Sequence, residues 1–183
     1  VNNVALTQEF KDTFGAKNGV LIEIDGSIPT GADTAVSMAR INKIAGEVKS
    51  GNITGSLSGA IDDFSSLATD NNDKLSITVT GADLAKASYG KLNTLATKTG
   101  SPVTATVTGL RADLLDANAG LKTAANDAIT IKVTDTVNIT QAISIKALTD
   151  SYSKIQFAKI RTTGSDLADN GLDTILNSAT AIE

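Results

Sequence analysis

The side chains available for chemistry in this chain are hydroxyls, carboxylates and amines, because its 183 residues include neither Cys nor His. That absence excludes disulfides, thiol nucleophiles, imidazole acid–base catalysis and transition-metal sites built on those ligands. The hydroxyls are the most regularly placed groups. They alternate as Ser76, Thr78 and Thr80, as Thr104, Thr106 and Thr108, and as Thr130 and Thr134 with Lys132 between them. Together with Glu23, these positions form a candidate polar binding face. Threonines in register could present hydrogen bonds to ice or to a crystalline polysaccharide. The plainer reading, a strand face that simply stays wet, is favoured because Glu23 and Lys132 interrupt the rows.

The carboxylates offer less. Asp62 and Asp63, and Asp70 with Asp73, sit near expected turns and could attract calcium. The spaced acidic loop ending in Glu that an EF-hand needs is missing, as is the Gly-rich nonapeptide of calcium-binding β-rolls. Solvated turn acids are therefore the expected role. Thr30-Gly-Ala-Asp33 and Thr80-Gly-Ala-Asp83 repeat one another, and Thr163–Asp166 shares their spacing. A hydroxyl three residues before an acid reads as helix N-capping, with Asp in place of the preferred Glu. No GxGxxG, P-loop or GxSxG occurs. No catalytic, cofactor-binding or metal residue is assigned, and the chain is expected not to be an enzyme.

The elements that position the hydroxyls come from an internal repeat. Val20–Gly26, Leu75–Gly81 and Ile129–Asp135 align, with Leu75 following Val20 by 55 residues and Ile129 following Leu75 by 54. A second strand of the same type lies within each unit, at Ile53–Gly59, at Val103–Gly109 and, less regularly, within Ile155–Thr163. The basic unit is thus one strand and one helix in about 27 residues. Val20, Ile22 and Ile24 point one way, as do Leu75, Ile77 and Val79, and Ile129, Ile131 and Val133. Period-two alternation predicts one buried and one wet face.

Between strands the apolar period changes to that of a helix. Met38, Ile41, Ala45 and Val48 make one stripe, and Ala85, Tyr89, Leu92 and Ala96 another. Leu110, Leu114, Ala117, Leu121 and Ala124 predict a long helix after Gly109, and Leu172, Ile175, Leu176 and Ala179 a shorter one. Short strand–helix links imply parallel strands. A doubly wound sheet buries both strand faces and runs continuously apolar. The Thr/Ser face therefore favours an α/β solenoid of about six parallel half-units with helices on one face.

The expected organisation over 1–183 is a single solenoid segment. Residues 1–19 form the trailing helix of a preceding unit, with Leu6, Phe10 and Phe14 as its stripe, and 20–74, 75–128 and 129–183 form three double repeats. The chain begins at Val1, shows no signal peptide and carries no obvious polar cap at either end, so an interior slice of a longer array is expected.

Composition bounds the partners. Hydrophobic residues make up 41%, aromatics only 3%, and the formal net charge is −4. Basic residues lie scattered among acids, and stacking aromatics are scarce, so nucleic acid is not an expected partner. No apolar run approaches a membrane span.

The segment Ile129–Asp150 resembles repeat units of very large exported bacterial proteins, of adhesin-like or surface-layer-like type. Those units run strand, then Asp-Thr or Thr-Gly, then an Ala-rich helix ending Ala-Leu, here Ala147-Leu148. Leu75–Ala96 and Val103–Ala125 match more loosely. The resemblance implies a structural or adhesive module at the cell surface or outside the cell. Its implied partners are neighbouring repeats and a cell-surface glycan or protein, with no cofactor. The alternative is a solenoid scaffold that binds a protein on its polar strand face. An enzyme with a ligand crevice at the strand C-termini is a third reading, disfavoured because Gly26, Gly59, Gly81, Gly109 and Asp135 there are turn residues without a reactive partner.

Overall fold

A computed structural model describes residues 22–28, 32–47, 53–124 and 126–163. The expected helices within 1–19 and 164–183, together with Val20, Thr30, Val48 and Asp166, lie outside these residues.

Six strands form one sheet: β1 Ile22–Ser27, β2 Ile53–Gly59, β3 Lys74–Val79, β4 Val103–Gly109, β5 Ala128–Val137 and β6 Ile155–Ile160. Every pairing is parallel, and the order across the sheet is the order along the chain. The connections carry α1 Ala32–Glu47, α2 Lys86–Ala96, α3 Arg111–Leu114 and α4 Ile139–Lys146, with one-turn 3-10 segments at Ile61–Phe64 and Tyr152–Lys154. The protein is thus α/β with a parallel sheet.

The alternation in sequence becomes an alternation in burial. Leu75 and Ile77, Val103, Ala105 and Val107, and Ile129, Ile131 and Val133 are all buried. They share one hydrophobic cluster with Met38 and Ile41 of α1, Tyr89, Leu92 and Leu95 of α2, and Ile139, Ala142 and Ile145 of α4. Their neighbours on each strand, Ser76, Thr78, Thr104, Thr106 and Thr130, are exposed or half-buried. Strand pairing removes the edges of the interior strands, so the driving force left to satisfy is apolar burial on one side.

The register shows unequal connections. Ile24 pairs with Gly55, Leu57 with Ile77, Ile77 with Val103, and Val107 with Ile131. The 54- and 55-residue periods are therefore averages over long and short links. The β2–β3 link is the shortest of these and carries only the Ile61–Phe64 turn.

Two sequence-based expectations change. The long helix predicted from Leu110 to Ala124 stops at Leu114. Asp116 accepts the backbone N–H groups of Asn118 and Ala119, and Gly120 N–H returns to the Asp116 carbonyl. A Cβ on Gly120 would stand 2.4 Å from that carbonyl oxygen, so the tight turn requires glycine there. Leu121 N–H then bonds the Leu114 carbonyl, and Leu121 reaches the core from a loop. An Asx turn overrides helical periodicity because its side chain competes for the same backbone donors.

The second change is at Thr80–Asp83, which does not cap α2. The helix N-cap is Ala85, without a side-chain cap. Residues 80–83 instead loop out of the sheet through Gly81 at φ +102°. Leu84 then re-enters beside β4, donating to Thr106 O and accepting from Thr108 N–H.

Candidate functional site: the polar strand face and its buried edge

Sheet register brings the predicted face together. Ser76 pairs with Ser56, Thr78 with Ser58 and Thr104, Thr106 with Thr130, and Thr108 with Lys132. Ser27 extends the row, and Ser58 Oγ donates to Ser27 Oγ at 3.0 Å. Thr80 and Thr134 are exposed at the far end of the same side, and Glu23 lies exposed in a row with Thr54 and Lys74. Such hydroxyls repeat at about 4.8 Å across strands and about 6.6 Å along them.

The face is not uniform. The Thr80–Asp83 loop carries the Asp83 carboxylate to the ammonium of Lys132 on β5, at 2.7 Å. Both partners are about a third or more exposed, so this pair orients the loop and adds little stability. None of the threonine hydroxyls of β4 or β5 on this face is hydrogen-bonded to a carboxylate. They are placed to exchange hydrogen bonds with a polar surface, since a hydroxyl becomes a nucleophile only beside a base.

A second set of hydroxyls lies where the strands begin, and sequence reasoning missed it. Thr69, Thr99, Thr123 and Thr149 are all buried. Thr69 donates to the Lys98 carbonyl at 2.7 Å and Thr123 to that of Leu148 at 2.9 Å. Thr99 donates to the Leu75 carbonyl at 2.6 Å, and Thr149 to that of Ile129 at 2.6 Å. Each bond joins one connection to the strand or connection beside it.

Two buried acids complete this edge. Asp127 accepts from Val103 N–H, the first residue of β4, and from Ala124 N–H of its own turn. Asp73 plays the same part for Ile53 and Asp70. Burial pushes the Asp73 carboxyl above the usual carboxylate range, against the pull of those backbone donors. The legible signal was Thr69-x-x-Asn-Asp73 recurring as Thr123-x-x-Asn-Asp127, 54 residues on. Asn42 and Asn93 make a third set. Each side-chain amide both donates to and accepts from the backbone of the next connection, at Ser66 and Ala68 and at Gly120 and Lys122.

The turn acids considered for calcium are already engaged. Asp62 pairs with Lys91, Asp63 accepts from Ala60 N–H, and Asp70 accepts from Asn72 N–H. Among the described residues, no three potential ligands gather into a cation site, and no helix is long and apolar enough to cross a membrane.

On the buried side, Tyr89 of α2 donates to the Thr108 carbonyl at 2.9 Å. Burial first, and the Asp113 carboxylate second, push its pKa up to about 12. Gly109 leaves room for that phenol, because a Cβ there would lie 2.2 Å from the Tyr89 oxygen.

No protein-family profile, curated protein or solved structure matches this chain.

Proposed function

We propose that this chain is a non-catalytic structural or adhesive repeat module of a large extracellular bacterial surface protein, folded as a solenoid of about six strand–helix half-units. The observation that carries the reading is a sequential parallel sheet with an apolar side on the helices and a hydroxyl-bearing side in water. Right-handed crossovers that always step in the same direction put every connection on the same side of the sheet. Stiffness then comes from neighbour-to-neighbour bonds, of which the Thr, Asp and Asn sets are the polar part. The hydroxyl face binds weakly per site and gains by repetition along the array, with a cell-surface glycan or protein as partner.

Two measurements test it. A fragment spanning residues 75–128 should lose the cooperative melting of the whole chain, because each unit depends on its neighbours. Equal melting of fragment and whole chain would contradict the solenoid. Tandem copies should be retained on immobilised cell-surface polysaccharide far better than a single copy, and Thr78→Asp with Thr106→Asp should abolish the gain. Equal retention of single, tandem and mutant chains would contradict adhesion through this face.

The Asp83–Lys132 pair supports a second reading, a scaffold that binds one protein on the same face. It predicts one-to-one binding lost on Lys132→Glu, and binding indifferent to that change would count against it.

A further inference from the structure

We propose that a cleft on the helical side, between the Ile61–Phe64 turn and α2, binds a small amphipathic monocarboxylate. The cleft arises from the short β2–β3 link. A single 3-10 turn lies there between α1 of 16 residues and α2 of 11 residues. Both helices touch the turn, which is too short to fill the space a full helix would occupy. The resulting cavity is about 260 Å³, floored by Ile61, Phe64, Leu67 and Leu95. That size is at the low end for ligand pockets, and an apolar floor with few polar groups is their usual lining.

Gly90 gives an independent sign. It sits within α2 and lines the cleft, and a Cβ there would meet nothing within 4 Å. Glycine inside a helix costs stability relative to alanine. Neither crowding nor a left-handed φ requires it here. Its effect is to leave the wall of the cleft open.

Charge selects the ligand. Lys91 and Lys98 line the cleft. Lys91 is held by Asp62 at 2.5 Å. The Lys98 ammonium, on a half-buried residue, has no hydrogen-bond or ion-pair partner among the described residues. One free ammonium beside an apolar floor fits one carboxylate with an aliphatic or aromatic body. A phosphate would call for the forked donors of arginine, which this cleft lacks.

The probe is octanoate, titrated into the full chain and followed by calorimetry and amide chemical shifts, with octanol and octylamine as comparators. Octanoate should saturate, with shifts centred on Gly90, Thr94 and Leu95, and octylamine should not bind. Lys98→Gln should weaken octanoate by about tenfold, the factor expected for one charge-assisted contact. Gly90→Leu should abolish binding while the melting temperature holds or rises, which separates a filled site from a misfolded one. Three results would each overturn the proposal: no saturable octanoate binding, octanol binding as tightly as octanoate, or unchanged affinity in Gly90→Leu or Lys98→Gln.

Discussion

Threonine does opposite work in two regions of this molecule. On the strand face, Thr78, Thr104 and Thr130 turn their hydroxyls towards water, and the apolar side of the same strands holds the core. At the edge where strands begin, Thr69, Thr99, Thr123 and Thr149 are buried, and their hydroxyls donate to carbonyls of neighbouring segments. A hydroxyl in water exchanges one partner for another at almost no net gain. A buried hydroxyl satisfies a carbonyl that otherwise has no partner, and losing it costs the desolvation of that group. The same residue type therefore supplies a surface in one place and a joint between half-units in the other.

The sharpest way to break this contrast is at the acids of the edge. Asp127→Ala leaves the N–H groups of Val103 and Ala124 without their acceptor, and Asp127 is only 4% exposed. We expect a loss of about 2–5 kcal/mol in urea unfolding, from two buried donors at about 1–3 kcal/mol each. A loss below ~1 kcal/mol would mean that water already serves those groups.

Tyr89 sharpens the picture from the alkaline side. Its pKa is raised from 10.0 to about 12 in the folded protein. The folded state therefore holds the phenolic proton more tightly than the unfolded one. That stabilisation is complete below pH 10 and is lost as pH rises through 12. The slope should amount to roughly 3 kcal/mol across the interval and should vanish in Tyr89→Phe. An identical alkaline slope in wild type and Tyr89→Phe would remove the phenol from the account.

The hydroxyl pairs themselves come next. Thr99→Val and Thr149→Val keep the shape and delete the donor, and each should cost about 1–3 kcal/mol. Thr78→Val and Thr104→Val on the wet face should stay within about 0.5 kcal/mol of wild type. Comparable losses in both pairs would erase the distinction.

The smallest effect is acidic. Backbone donors from Ala119 and Asn118 hold the Asp116 carboxyl below its ordinary value, and Lys154 does the same for Asp150. A lowered folded-state value gives stability that is present above the unfolded pKa and lost as pH falls through the folded one. Asp116→Asn and Asp150→Asn should each flatten the acid limb of the pH–stability curve slightly. A steeper limb in either variant would contradict the assigned signs.

Periodicity made the sheet legible. Val103-Thr-Ala-Thr-Val-Thr-Gly109 alternates so regularly that its buried and wet faces could be assigned from residue types alone, and its partners follow from short links. The edge was not legible in the same way. Thr99, Thr123 and Thr149 stand in connections, where hydroxyls ordinarily signal turns and exposure. Their burial depends on which carbonyl the neighbouring half-unit leaves open, a tertiary fact without a local pattern. Asp116 ended a helix that Leu110, Leu114 and Leu121 had led one to expect, because a side-chain bond to the backbone has no hydrophobic period. Likewise, Thr80–Asp83 had the composition of a cap, but Leu84 found a place beside β4 and drew the loop out over the wet face.

The most direct test of the central claim exploits the absence of cysteine, since any introduced thiol is unique. Thr78→Cys, Thr104→Cys, Thr99→Cys and Thr149→Cys are each exposed to a thiol reagent in the native state. The two face positions should react at the rate of a free thiol, and the two edge positions only as fast as the chain unfolds. Equal native-state rates at all four positions would contradict the division into a wet face and a buried joint.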